Sequence, residues 1–155
     1  MKIEHDRIDA FAGCSSGGLP LAVALAMTMN RPFIAVRLYD KNPLNHPELE
    51  GSWRKGQRIA IVDDSLVLGR QKRRMVEILE AAKLRPTHVL VVMELGGFPA
   101  DSEERKWIAA RGIKIRSLVT WHEWVHFMQR EGVIAKEVAD SLLRLLENPP
   151  EWVKD

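Results

Sequence analysis

The amino-acid sequence predicts an α/β fold, a mostly parallel open sheet flanked by helices. Apolar β-like runs alternate with helical stretches along the chain, at the spacing of βαβ units. The run His88-Val89-Leu90-Val91-Val92-Met93 lacks polar alternation, as expected of a strand covered on both faces. The first β-like run passes straight into a glycine-rich turn and then into an Ala/Leu-rich helical segment. In such a sheet the crossovers are right-handed and ligands bind at the carboxyl ends of the strands.

The first strand covers Ile8 to Ala12 and closes in the tight turn Gly13-Cys14-Ser15-Ser16-Gly17-Gly18, small residues that let backbone amides approach a ligand. A helix is expected from Leu19 to Met29, where Ala, Leu, Val and Met dominate and Pro20 falls in the first turn. Pro32-Phe33-Ile34-Ala35-Val36-Arg37 is a second strand, and Ile59-Ala60-Ile61-Val62 a third that ends at Asp63-Asp64. Between them, residues 38–56 hold Asn42, Pro43, Asn45, Pro47, Gly51 and Gly56, which predicts a mobile loop with a small hairpin near Glu50-Gly51-Ser52. Gly69 to Lys83 reads as an amphipathic helix, with Met75, Ile78 and Leu79 inward and Arg70, Lys72, Arg73 and Arg74 on a solvated basic front. Asp101-Ser102-Glu103-Glu104 opens a helix to Ala110, acidic where the macrodipole favours it. Ile113 to Leu118 alternates like an edge strand, and two helices broken at Gly132 occupy about residues 120–146.

With 155 residues, 46% of them hydrophobic and 28% charged, the chain suits one domain with a real core. Lys and Arg number 23 against 21 Asp and Glu, a net charge of +2, too small an excess for a typical nucleic-acid binder. The single cysteine, Cys14, excludes an intrachain disulfide and a Cys-rich zinc module. Met1 to Arg7 carries charge where a secretory signal needs an apolar run, and no apolar stretch is long enough to span a bilayer. A cytoplasmic protein without membrane or nucleic-acid partners is expected.

The window from Ile59 to Arg70 is the most informative. A buried strand delivers two adjacent carboxylates, Asp63 and Asp64, to a short loop, and Gly69 then opens a helix. Adjacent carboxylates can accept hydrogen bonds from a vicinal diol, while the helix N-terminus beyond offers amides and a positive dipole to a phosphate. That describes a cradle for a sugar phosphate. The plain alternative is an acidic strand end that solvates a loop.

Together with other stretches, this window resembles the type I phosphoribosyltransferases, and among them the orotate phosphoribosyltransferases most closely. The family pattern is an apolar strand, two acidic residues and a Thr/Gly-rich phosphate loop, which Ile59 to Val62, Asp63-Asp64 and Gly69 match. Gly13 to Ala22 is similar to the family's strand-to-helix loop at the pyrophosphate. Phe33 to Arg37, followed by Leu49-Glu50-Gly51, is similar to the stretches that bracket its flexible catalytic loop, and Gly112 to Thr120 to its final strand and helix start. The resemblance covers nearly the whole chain. It implies one phosphoribosyltransferase-like domain over residues 1–155 that binds phosphoribosyl pyrophosphate or ribose 5-phosphate with magnesium. The implied reaction moves a phosphoribosyl group to or from a nitrogenous base, an orotate-like pyrimidine among the candidates, by displacement at the anomeric carbon. It places Asp63 and Asp64 on the ribose hydroxyls, beside a magnesium ion bridged by the substrate. Ser65, Gly69, Arg70 and Gln71 fall around the 5′-phosphate, and Ser15, Ser16, Gly17, Gly18 and Arg37 at the pyrophosphate. Lys41 and His46 become the catalytic-loop candidates, and a homodimer is implied.

The sequence departs from the family pattern at several positions. Val67 and Leu68 stand where small hydroxyl residues are usual, and Leu38 replaces a lysine with the histidine displaced to His46. The first core strand begins near Ile8, so the fold is expected to lack a full N-terminal hood over the base. These departures support a second reading, a non-catalytic ribose-phosphate or nucleotide-binding regulatory module. A third comes from His122-Glu123-Trp124-Val125-His126, which fits HExxH and would set both imidazoles one helical turn apart on a hydrolytic zinc ion. Against it, Trp121, Trp124, Val125 and Met128 have the spacing of a packed helix face. Cys14 has no paired base and reads as a small residue tolerated in its turn.

Overall fold

A computed structural model describes residues 8–38, 48–95 and 102–147. Its strands are β1 (Ala10–Gly13), β2 (Phe33–Val36), β3 (Leu49–Gly51), β4 (Arg58–Leu66), β5 (Arg85–Glu94) and β6 (Lys114–Thr120). They form one six-stranded sheet in the order β3-β2-β1-β4-β5-β6. Every pairing is parallel except that of β3 with β2. The helices are α1 (Ser15–Thr28), α2 (Arg70–Ala81), α3 (Glu103–Ala110), α4 (Trp121–Arg130) and α5 (Lys136–Glu147). The expected α/β architecture is therefore present.

Strand pleating sorts the apolar residues into two cores, because neighbours along a strand face opposite sides. Phe11, Ala60 and Val62 join Ile8, Leu90, Ala22 and Ala26 on the α1 side. Ala10, Ala12, Ile59 and Ile61 join Met75, Val76, Leu79 and Ile108 on the side of α2 and α3. Met75, Ile78 and Leu79 are buried, as the periodicity of α2 predicts. The buried face of α1 is Gly18, Ala22 and Ala26, residues small enough to bring the helix close onto the sheet. The approach is so close that a Cβ on Gly13 would stand 2.7 Å from the Ala22 Cβ.

Three boundaries differ from expectation. The helix expected from Leu19 begins at Ser15, so the predicted turn Gly13 to Gly18 contributes its second half to the first turn of α1. Cys14 is extended at φ −133 and Ser15 adopts φ 52, which swings the chain from strand directly into helix. The low helix propensity of Gly17 and Gly18 is overridden by their packing against β4. The third predicted strand does not stop at the acidic pair: β5 continues beside it and pairs Asp63 with Val91, Ser65 with Met93 and Leu66 with Glu94. The stretch expected to be loop over 38–56 contains β3, whose Glu50 pairs with Ala35 and Leu49 with Val36. Lys41 and His46 lie outside the described residues.

The strand order fixes where a ligand can sit. From β1 the chain winds through α1 to β2 on one side, while β4 takes up the other side of β1. The winding changes direction between β1 and β4, and the crevice beyond their carboxyl ends is the usual ligand site of an open α/β sheet. Both Gly13-Cys14 and Asp63-Asp64 lead into it. At the far end, α4 packs on α5, Val125 of α4 is fully buried, and the Trp121 indole N–H donates to the Leu142 carbonyl at 3.2 Å. Among the described residues no helix is long and apolar enough to cross a membrane.

Candidate active site

The acidic pair of β4 is split by its environment. Asp63 is 2% exposed, and its Oδ2 lies 2.6 Å from the Lys72 ammonium. Its Oδ1 accepts the Asp64 amide at 3.0 Å. Asp64 is exposed and accepts from the Ser65 hydroxyl at 3.1 Å. The pleat explains the division: Asp63 turns toward the α2 face, where Lys72 waits, and Asp64 toward the α1 face. Lys72 belongs to the apolar stripe of Met75, Val76 and Leu79 and is itself buried, so the solvated basic front expected for this helix loses one member. Its ammonium also reaches Gln71 Oε1 at 3.3 Å.

The first turn of α1 lies against this pair. A Cβ on Gly18 would stand 2.8 Å from Asp63 Oδ1 and equally close to the Val62 carbonyl. A Cβ on Gly17 would overlap the Asp64 carboxylate. The first turn of α1, where Ser15, Ser16, Gly17 and Gly18 are expected to meet pyrophosphate, and the pair Asp63-Asp64 expected at the ribose are thus brought together, although 45 or more positions separate them in sequence. No side chain caps the α1 N-terminus and no acidic residue occupies its first turn, so the anionic groups its dipole meets are the neighbouring Asp63 and Asp64 carboxylates of β4. The Cys14 thiol is buried here, and burial raises its pKa above the ordinary value, which suits a packing role rather than a nucleophile.

The loop after β4 is short: Val67 and Leu68 lead to Gly69, which takes φ 98 and caps α2 without a side-chain hydrogen bond. The positive φ is what glycine permits at that point. Ser65 remains within β4, and Arg70 and Gln71 form the first turn of α2. The Leu68 carbonyl accepts the Ser102 hydroxyl at 2.7 Å, which ties this loop to the start of α3. Arg37, assigned to pyrophosphate by resemblance, has its guanidinium on Glu50, with Nε 2.6 Å from Oε1 and Nη2 2.9 Å from Oε2. At the carboxyl end of β5, Glu94 pairs with Arg105 and accepts the Ser117 hydroxyl.

The HExxH stretch is placed differently. His122 and His126 are exposed on α4, and Glu123 caps that helix by accepting both the Thr120 amide and hydroxyl at 2.8 Å. Those hydrogen bonds hold its carboxyl below the usual range. Among the described residues no group of three His, Cys, Asp or Glu side chains is arranged to hold a metal.

Superposition on solved structures decides the architecture. Orotate phosphoribosyltransferase from Aeropyrum pernix matches 83% of this chain and 68% of its own at a TM-score of 0.67 and 26% identity. Leishmania donovani UMP synthase matches 90% of this chain, though only 29% of its own, at a TM-score of 0.74 and 24% identity. The fold is that of the type I phosphoribosyltransferases. In sequence, the chain is 28% identical over 152 residues to orotate phosphoribosyltransferase of Streptococcus pneumoniae serotype 19F (strain G54), covering 98% of this chain and 70% of that enzyme. The corresponding enzyme of Lactococcus lactis subsp. lactis (strain IL1403) is 26% identical, with 98% of this chain and 71% of the enzyme covered. No family model matches the chain. On this phosphoribosyltransferase fold, the residues that sequence reasoning missed are Lys72 and the partners Glu50, Glu94 and Arg105. For Lys72 a signal existed, since it stands three and four positions before Met75 and Val76 on the same helical stripe.

Proposed function

We propose that the protein binds phosphoribosyl pyrophosphate and transfers its phosphoribosyl group to or from a pyrimidine-like base. The observation that supports it is the convergence, at the β1–β4 crevice, of an exposed carboxylate, a glycine-lined helix start and an uncapped loop before α2. The similarity of nearly the whole chain to orotate phosphoribosyltransferases gives that convergence its chemical meaning. Asp64 faces the ribose diol, with Asp63 as its buried neighbour in the pair. The first turn of α1, Ser15 to Gly18, receives the pyrophosphate through its amides, and Arg37 joins it by releasing the Glu50 carboxylate that holds its guanidinium in this structure. The loop Val67 to Gly69, with Ser65, Arg70 and Gln71 beside it, receives the 5′-phosphate, where the Arg70 guanidinium supplies charge in place of absent hydroxyls.

The reaction is a displacement. The base nitrogen bonds to the anomeric carbon as the bond to pyrophosphate breaks; the electron pair leaves with pyrophosphate, and the proton the nitrogen gives up passes to pyrophosphate or solvent. Positive groups at its oxygens lower the barrier most, a role that falls to the α1 dipole, Arg37, and Lys41 and His46 from the neighbouring segment. The donor set suits a magnesium ion carried by the substrate better than a protein-built cage: Asp64 is one exposed carboxylate, and Asp63 already has a cation. Such an ion would offset pyrophosphate charge. The same resemblance supports a homodimer in the cytoplasm, which sedimentation and fractionation test.

Titration calorimetry with phosphoribosyl pyrophosphate, with and without magnesium, together with pyrophosphate release over a panel of bases, tests the proposal. Binding that Asp64→Asn weakens tenfold or more, with release for one base, is the expected result. No heat at millimolar ligand and no release with any base would overturn it. Binding without release would favour the regulatory module, the reading that Val67 and Leu68 in the phosphate loop support.

A further inference from the structure

The geometry points to Lys72 as the residue that withdraws Asp63 into an internal ion pair, leaving Asp64 as the one carboxylate of the pair that meets a ribose diol. This inference rests on the crevice being a ribose-phosphate site and names which half of the acidic motif does the recognising.

Both oxygens of Asp63 are engaged inside the protein. Oδ2 meets the Lys72 ammonium at 2.6 Å, and Oδ1 accepts the Asp64 amide at 3.0 Å. The third side is closed by α1, where even a methyl group on Gly18 would fall 2.8 Å from Oδ1. The side chains of Asp63 and Lys72 retain 3% and 7% exposure. For Asp63 to bind a sugar, it would have to leave a buried ammonium with only the neutral Gln71 Oε1 at 3.3 Å and no counter-charge, and an uncompensated buried charge is strongly destabilising. Asp64, one residue on, faces the other side of the sheet and is open to solvent.

Asp63 Oδ1 receives the Asp64 N–H, an acceptor that asparagine at this position would keep, so the backbone from which the recognising carboxylate projects need not change when the ion pair is removed as a unit.

The test is a rescue. Asp63→Asn alone leaves the ammonium buried without its counter-charge and should lower both thermal stability and ribose 5-phosphate affinity. Adding Lys72→Met removes the stranded charge. The double variant should therefore recover stability and bring the dissociation constant for ribose 5-phosphate to within about threefold of the unaltered protein, with its preference over 2-deoxyribose 5-phosphate retained. Asp64→Asn should lose tenfold or more for ribose 5-phosphate and most of that preference. A second measurement needs no variant: in carbon-13 spectra of labelled aspartate carboxyls, ribose 5-phosphate should shift the Asp64 signal and leave that of Asp63 in place. A double variant as impaired as Asp64→Asn, or an Asp63 signal that shifts with Asp64, would overturn the inference while leaving the ribose-phosphate reading intact. Absence of ribose 5-phosphate and phosphoribosyl pyrophosphate binding by the unaltered protein would overturn that reading, and this one with it.

Discussion

The Ser102 hydroxyl donates to the Leu68 carbonyl at 2.7 Å while its oxygen accepts the Arg105 amide at 3.3 Å. One side chain therefore caps α3 and holds the loop that leads into α2. Ser102→Ala removes both, and the cap alone is worth about 1 kcal/mol. We expect a lower melting temperature and faster hydrogen exchange at Leu68 and Gly69, with exchange elsewhere in β4 unchanged. Loss of stability without faster exchange in the loop would show that Ser102 serves only as a cap.

Gly17 and Gly18 should respond differently to alanine. At Gly18 the added methyl meets the Val62 backbone carbonyl, which cannot swing aside, so Gly18→Ala should cost about 1–3 kcal/mol of stability by overpacking. At Gly17 its three nearest atoms all belong to the Asp64 side chain, which can turn away. Gly17→Ala should leave the melting temperature unchanged or slightly raised, since alanine favours helix by roughly 1 kcal/mol, and should weaken ribose 5-phosphate binding tenfold or more. Thermal unfolding and calorimetry on the two variants check the contrast.

Val67 occupies a position where the resembling family carries a small hydroxyl residue. Val67→Thr keeps the shape and adds a donor beside the proposed 5′-phosphate. A net hydrogen bond of about 1 kcal/mol corresponds to roughly fivefold tighter binding. Ribose 5-phosphate should gain that factor and ribose should gain nothing, as calorimetry with the two sugars would show. Equal gains would place the hydroxyl away from the phosphate.

At the opposite end of the sheet, the Arg58 guanidinium and amide hydrogen-bond Asp9 and hold its carboxyl down to about 2 from an ordinary 3.8. A depressed folded-state pKa adds stability that is present above the ordinary value and is lost as pH falls through the folded one. Stability should thus decline between about pH 4 and pH 2. For a pair whose side chains remain 37% and 31% exposed, the amplitude is about 1 kcal/mol after solvent screening. Asp9→Asn should flatten that acid limb in urea titrations at pH 5 and pH 2.5, and ligand affinity should not change.

Much of the architecture is legible from residue patterning alone. The unbroken apolar run in β5 and the inward triad Met75, Ile78 and Leu79 state their burial directly, because each needs only its own element's periodicity. What escapes is set by neighbours. The start of α1 is hidden because Gly17 and Gly18 disfavour helix locally, and only contact with the β4 carboxylates shows why they are there. The end of β4 is hidden because carboxylates suggest a strand terminus, whereas β5 supplies pairing as far as Leu66. Lys72 is masked by Arg70, Arg73 and Arg74, whose company makes a buried lysine look like part of a solvated face. The Arg37–Glu50 pair depends on the register of β2 with β3, which no local signal fixes.

That short antiparallel strand has a consequence for how the chain can vary. Val36 pairs with Leu49, the Arg37 amide donates to the Glu48 carbonyl at 2.8 Å, and Arg37 grips Glu50 one rung further. The two ends of the intervening chain are thus fastened to each other at one point of the sheet. Closing a longer or shorter segment across fixed ends changes the free energy only with the logarithm of its length. The number of residues between Arg37 and Glu48 can accordingly change without retuning the strands that hold the two ends.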